Sequence, residues 1–230
     1  MSAITRVIFD LDGTLIDSAA DLHQALNVVL VAEGWRPLSL PEVKAIVGDG
    51  AAMLVRKALV LAGSGAAPAS AGALDAAVRA LTPRFLAAYE SHAADLTCAY
   101  PGVPETLAVL RGRGLALAVC TNKPEQVTRL ILRALDLDRY LGAIIGGDSV
   151  DGIRKPDPRH LLAAVDALGG IPSETVMVGD SVNDVAAARG LGVPVIIRAG
   201  GYGQVPADAL GADLVICDFA ELPAAIASLP

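Results

Sequence analysis

Four short segments place polar residues directly after apolar runs: Asp10-Leu11-Asp12-Gly13-Thr14, Thr121-Asn122, Lys155-Pro156-Asp157-Pro158 and Gly179-Asp180-Ser181-Val182-Asn183-Asp184. Hydrophobic packing does not explain them, and together they offer carboxylates, a hydroxyl and an ammonium. Asp10, Asp12, Asp180 and Asp184 crowded into one volume would repel strongly unless a cation sat among them. An oxygen-rich site of this kind suits Mg²⁺, which keeps several waters and uses a few carboxylates plus substrate phosphate. Thr121 then supplies a hydroxyl at a helix N-terminus, where free N–H groups favour an anion, and Lys155 supplies a compact positive charge. This is the equipment of phosphoryl transfer. Asp10 can attack phosphorus to give an aspartyl-phosphate. Asp12, two residues on, can protonate the departing alkoxide and then activate water, help worth roughly 10²–10⁴-fold. Gly13 lets the chain turn sharply just past the nucleophile.

Such residues meet only if the elements before them end at one edge. The apolar runs Val7–Phe9, Leu115–Cys120, Ala143–Ile145, Thr175–Val178, Val193–Ile197 and Asp213–Cys217 suit parallel strands buried on both faces. Helical stretches at Val103–Arg111, Pro124–Leu135, Pro158–Leu168 and Asp184–Arg189 separate most of them, and Asn122-x-x-Glu125 has capping-box spacing. The expectation is an open α/β sheet with ligands at the C-terminal strand ends. One interval breaks the alternation. From Ser18 to about Tyr100 the pattern is helical, with Leu22, Leu26, Val29 and Leu30 on one face of a first helix. Further helices are expected at Val43–Val47, Ala51–Leu61 and Leu74–Tyr89. This reads as an inserted helical cap of residues 18–94, the core being residues 1–17 and 95–230.

Composition narrows the classes. A hydrophobic share of 53% against 19% charged residues excludes a disordered chain. A net charge of −7 and a pI near 4.9 argue against a nucleic-acid binder. The N-terminal MSAITRVIFD lacks the basic start and apolar block of a signal peptide. The uncharged stretch Ala58–Leu74, interrupted by Gly63, Gly65, Pro68 and Gly72, reads as an Ala-rich turn between helices rather than a membrane span. Cys98, Cys120 and Cys217 are too far apart for a C-x-x-C pair, which fits a reducing cytoplasm. Cys120 is expected in the core, and Trp35 as a packing residue of the cap. His23, His92 and His160 have no metal spacing.

Each motif alone has an ordinary explanation: a surface turn, a helix cap, a loop lysine. Their joint occurrence carries the reading. In order and spacing, DLDGT from Asp10, the strand ending at Thr121, Lys155 before Pro156 and GDSVND resemble the haloacid dehalogenase superfamily of phosphohydrolases, and the helical insertion resembles that superfamily's C1 cap. The pieces DLDGTLIDS from Asp10, VGDGA from Val47, TNKP from Thr121, IIGGDSV from Ile144 and KPDP from Lys155 are similar to its phosphoglycolate phosphatases. The resemblance implies a Rossmann-like, three-layer α/β core around a parallel sheet. It implies Asp10 as nucleophile, Asp12 as general acid/base, and Mg²⁺ held by Asp10, the main-chain carbonyl of Asp12 and Asp180, with Asp184 behind them. Thr121, Asn122 and Lys155 would grip the phosphoryl group. Gly48-Asp49-Gly50 would form a substrate loop in the cap, with Arg56 or Lys57 neutralising a substrate carboxylate.

The expected partner is a small phosphorylated metabolite, 2-phosphoglycolate foremost, with neither nucleic acid nor membrane, and with the protein a monomer or homodimer. Another phosphatase of the superfamily, or a mutase of the β-phosphoglucomutase type, shares the core and differs mainly in the cap. A dehalogenase would need no metal. A phosphoacceptor signalling receiver also gathers acids, a Thr and a Lys at strand ends, but it is shorter, has no cap and has no acidic pair after the Lys.

Overall fold

The computed structural model describes residues 3–63 and 70–229. The elements run β1 (Arg6–Phe9), β2 (Ile16–Asp17), α1 (Ala19–Ala32), α2 (Leu40–Lys44), α3 (Ala51–Ala62), α4 (Ala71–Glu90), β3 (Cys98–Ala99), α5 (Val103–Gly112), β4 (Ala116–Cys120), α6 (Glu125–Ala134), β5 (Ala143–Ile145), α7 (Pro158–Ala167), β6 (Thr175–Gly179), α8 (Val182–Leu191), β7 (Val195–Arg198), β8 (Leu214–Ile216) and α9 (Leu222–Ser228). The chain divides into one compact unit of residues 1–17 and 98–230 and a second of residues 18–97. The part of the expected Ala-rich turn containing Gly65 and Pro68 lies outside the described residues.

In the first unit six strands pair in the order β5-β4-β1-β6-β7-β8, every pair parallel. Parallel strands need covered faces, and the side-chain alternation provides for both. Ile8 is level with Ala118 and Met177, and Met177 with Val195. These residues and Ile197 pack with Leu161, Ala164 and Val165 of α7 and Val185 and Ala188 of α8. The alternate side chains Val7, Phe9, Leu117, Val119, Val176 and Val178 are equally buried. Each such aliphatic side chain removed from water contributes about 1.5–3 kcal/mol. The result is a three-layer α/β unit.

The second unit is helical, α1 packing on α4 and α4 on α3. Ser39 and Glu42 form a reciprocal capping box at the start of α2.

Two local expectations fail. The residues flanking the helical unit do include a strand pairing, because β2 and β3 form an antiparallel ribbon, Ile16 opposite Ala99 and Asp17 opposite Cys98. Two residues per strand leave no readable periodicity. The capping box at Asn122 and Glu125 does not form: α6 begins at Glu125 after an extended Pro124 with no side-chain cap. Asn122 is drawn away, its Nδ2 donating to the Lys155 carbonyl at 2.9 Å.

Candidate active site

Register brings the motifs to one edge. Phe9 lies level with Val119 on one side and Val178 on the other, so Asp10, Thr121 and Asp180, which follow the last residues of β1, β4 and β6, leave the sheet at the same edge. The Asp10 N–H still donates to the Val178 carbonyl at 2.9 Å. Asp10, Asp180 and Asp184 are all buried, and one carboxylate oxygen from each lies within 4.8 Å of the others. Lys155 enters between them. Its Nζ is 2.8 Å from Asp10 Oδ1 and 2.7 Å from Asp184 Oδ1.

The three carboxylates differ in what else they hold. Asp184 Oδ2 accepts from Asp180 N–H (3.2 Å), Ser181 N–H (3.0 Å) and Ser181 Oγ (2.8 Å), while its Oδ1 takes Lys155. This carboxylate is committed to the protein on both oxygens. Gly179 has no side chain because Asp184 lies where its Cβ would be. Asp180 accepts from Thr14 Oγ1 at 3.1 Å and from the Tyr202 N–H at 2.6 Å. Gly13, at φ 86°, passes so close that a Cβ there would strike the Asp180 carboxylate. Its glycine identity thus answers to crowding as well as to the turn.

Charge defines what the cluster can hold. Three carboxylates face one ammonium, a surplus of two negative charges in a buried place if all are ionised. Burial raises the Asp10 carboxyl to about 7, with Asp184 and Asp180 adding to the rise and Lys155 opposing it. Asp180 is likewise pushed up to about 6 by burial and by Asp184, against the Tyr202 and Thr14 donors. Burial alone would lower Lys155, yet Asp10 and Asp184 together hold it above its ordinary value. A divalent cation among these oxygens would supply the missing charge, and the all-oxygen donor set fits a hard cation.

Asp12 stands apart from that trio. Both its oxygens accept from Lys123 Nζ at 2.9 Å, and the lysine side chain is only 4% exposed. Thr121 Oγ1 accepts from the Lys123 N–H at 3.2 Å. At the start of α6 the Glu125 N–H donates to Asp148 Oδ1 at 2.8 Å. Lys123 and Tyr202 were not legible as site residues, and Thr14 was legible only as the end of the first segment. Lys123 was visible only as a letter of TNKP, and no spacing says where its side chain goes.

In the helical unit, Gly48-Asp49-Gly50 connects α2 to α3, with φ of 126° at Gly48 and 85° at Gly50. Asp49 pairs with Lys57 at 2.6 Å, and Arg56 pairs with Asp75 of α4. His160 is wholly buried and Trp35 half-buried. Burial raises the Cys120 thiol to about 12, so it is a core group. Among the described residues no helix is long and apolar enough to cross a membrane.

A family model described as haloacid dehalogenase-like hydrolase matches residues 4–192. A phosphoglycolate phosphatase of Caulobacter vibrioides is 43% identical over 224 residues, 97% of this chain and 91% of that one. One from Rhodospirillum rubrum is 44% identical over 216 residues, 94% of this chain and 88% of that one. Among solved structures, a predicted phosphoglycolate phosphatase from Haemophilus somnus superposes with a TM-score of 0.88 at 31% identity, over 98% of this chain and 99% of that chain.

Proposed function

Since the chain belongs to the haloacid dehalogenase-like hydrolases, we propose that it is a cytoplasmic, Mg²⁺-dependent phosphomonoesterase that hydrolyses 2-phosphoglycolate to glycolate and phosphate through an aspartyl-phosphate on Asp10. The observation that carries this reading is the buried cluster of Asp10, Lys155, Asp180 and Asp184 at the ends of β1 and β6. The substrate rests on the relatives bearing that name.

In this reading Asp10, Asp180 and the main-chain carbonyl of Asp12 hold the cation. Asp184, with both oxygens engaged, orients Lys155 and the Asp180-Ser181 turn. The cation, when bound, offsets the surplus negative charge and polarises the phosphoryl group. Lys155 fixes one oxygen of Asp10 and directs the carboxylate toward phosphorus. Asp10 forms the new P–O bond as the ester oxygen leaves, and Asp12 gives that oxygen its proton. Water then attacks the aspartyl-phosphate, Asp12 takes the proton back, and phosphate departs from a regenerated Asp10. Thr121, Asn122 and Lys155 are assigned to the phosphoryl oxygens. The Gly48-Asp49-Gly50 turn and Arg56 are the helical unit's candidates for selecting the substrate's carboxylate.

The test is kcat/KM across a panel of phosphate esters, for the wild type with Mg²⁺, after chelation, and for Asp10→Asn. We expect 2-phosphoglycolate to lead the panel, chelation to abolish turnover reversibly, and Asp10→Asn to lose at least ~10⁴-fold while melting as a folded protein, as removal of a covalent nucleophile should. A strong preference for a hexose phosphate would overturn the substrate, and near-normal activity of Asp10→Asn would overturn the mechanism.

A further inference from the structure

Lys123 has no role in the chemistry described so far, yet it is buried at this edge alongside the residues that do. Its main chain is held on both sides, the N–H donating to Thr121 Oγ1 at 3.2 Å and the carbonyl accepting from the Gly147 N–H at 2.7 Å. Its side chain, 4% exposed, ends on both oxygens of Asp12, whose side chain is 12% exposed. Placing an ammonium and a carboxylate in such a setting is costly in desolvation, and a buried pair is poor evidence of a contribution to stability. What the pair does supply is direction. An aspartate carboxylate rotates about its last bond unless something grips it, and one ammonium equidistant from both oxygens, at 2.9 Å each, fixes that torsion.

Resting on the assignment of Asp12 as general acid and base, we propose that Lys123 is a positioning residue that aims the Asp12 carboxyl at the leaving-group oxygen. When Asp12 carries the proton, the oxygen bearing it loses its contact with Lys123. The other oxygen keeps the ammonium, so the O–H is presented outward. Once the proton has passed to the alkoxide, the two-oxygen grip re-forms and Asp12 is set to receive a proton from the attacking water. Lys123 itself exchanges no proton and forms no covalent bond.

This role predicts a loss that depends on how much the leaving group needs a proton. 2-Phosphoglycolate releases an alkoxide, which must be protonated as it leaves. Acetyl phosphate, of similar size, releases acetate, which leaves without one. Because kcat/KM reports the steps through departure of the leaving group, Lys123→Met should lower kcat/KM for 2-phosphoglycolate roughly 10–100-fold, the scale of a misplaced catalytic group. It should leave kcat/KM for acetyl phosphate and inhibition by inorganic phosphate close to wild type. Lys123→Arg, which can offer two parallel N–H donors to a carboxylate, should recover most of the loss and guards against a folding defect in the methionine variant. Equal losses on the two esters, or phosphate inhibition weakened in parallel, would overturn the proposal in favour of direct phosphoryl binding. A wild type inactive on both esters would instead overturn the hydrolase reading on which it rests.

Discussion

His160 sits beneath β4 with its Nδ1 3.5 Å from Cys120 Sγ and its Nε2 2.9 Å from the Gly146 carbonyl. Burial pushes its imidazole below the ordinary range, only partly opposed by that carbonyl acceptor. The folded state therefore takes up a proton less readily than the unfolded chain. Its contribution to stability is complete above the unfolded pKa, near 6.5, and is lost as the pH falls below it. His160→Gln should start less stable at neutral pH but decline less steeply on acidification. Unfolding midpoints followed from about pH 7 to about pH 5 would check this, and parallel curves for the two proteins would refute it. Little of this was readable beforehand. A histidine two residues after Lys-Pro-Asp-Pro could be surface or core, and only the packing of α7 on β4 decides.

At the scale of elements, one buried carboxylate joins the two ends of the helical unit. Asp21, in the first turn of α1 and 1% exposed, accepts from the Leu96 N–H, the Thr97 N–H at 2.8 Å and Thr97 Oγ1 at 2.7 Å. The start of the unit is thereby pinned to its end. Asp21→Ala leaves three buried or half-buried donors unpaired, and at about 1–3 kcal/mol for each orphaned group the cost should reach at least about 3 kcal/mol. Asp21→Asn retains one acceptor oxygen and should cost less. Denaturant midpoints give the magnitude, and faster amide exchange at Leu96 and Thr97 locates it. A change below about 1 kcal/mol for the alanine variant would show that water replaces the carboxylate. Elements of this kind were legible to different degrees. The strands β1, β4, β5 and β6 were readable because parallel strands buried on both faces show as unbroken apolar runs. The β2–β3 ribbon was not, since two residues carry no period. At Asn122 a local pattern yields to a tertiary contact, its Nδ2 donating to the Lys155 carbonyl across the strand ends while α6 starts after Pro124.

For the whole molecule the governing quantity is charge. A chain of net charge −7 gathers three carboxylates against one ammonium in a buried place, and a cation bound among them would offset that excess. Adding Mg²⁺ to chelator-treated protein should raise its melting temperature. At a hundred times the dissociation constant the stabilisation is about 2.7 kcal/mol, roughly 5–10 °C for a chain of this size. Asp180→Asn should blunt the shift, and a melting temperature indifferent to Mg²⁺ would contradict the metal assignment. The sequence by itself determined the α/β unit and the order in which Asp10, Asp12, Thr121, Lys155, Asp180 and Asp184 follow apolar runs, because apolar period and motif order are local properties of a chain. Only the tertiary structure decided how those charges divide: Asp184 engaged on both oxygens, Asp12 drawn out of the trio onto Lys123, Gly13 and Gly179 kept bare by the carboxylates beside them. Side-chain direction at a strand end depends on which neighbours the register delivers, and no spacing along a single chain encodes that.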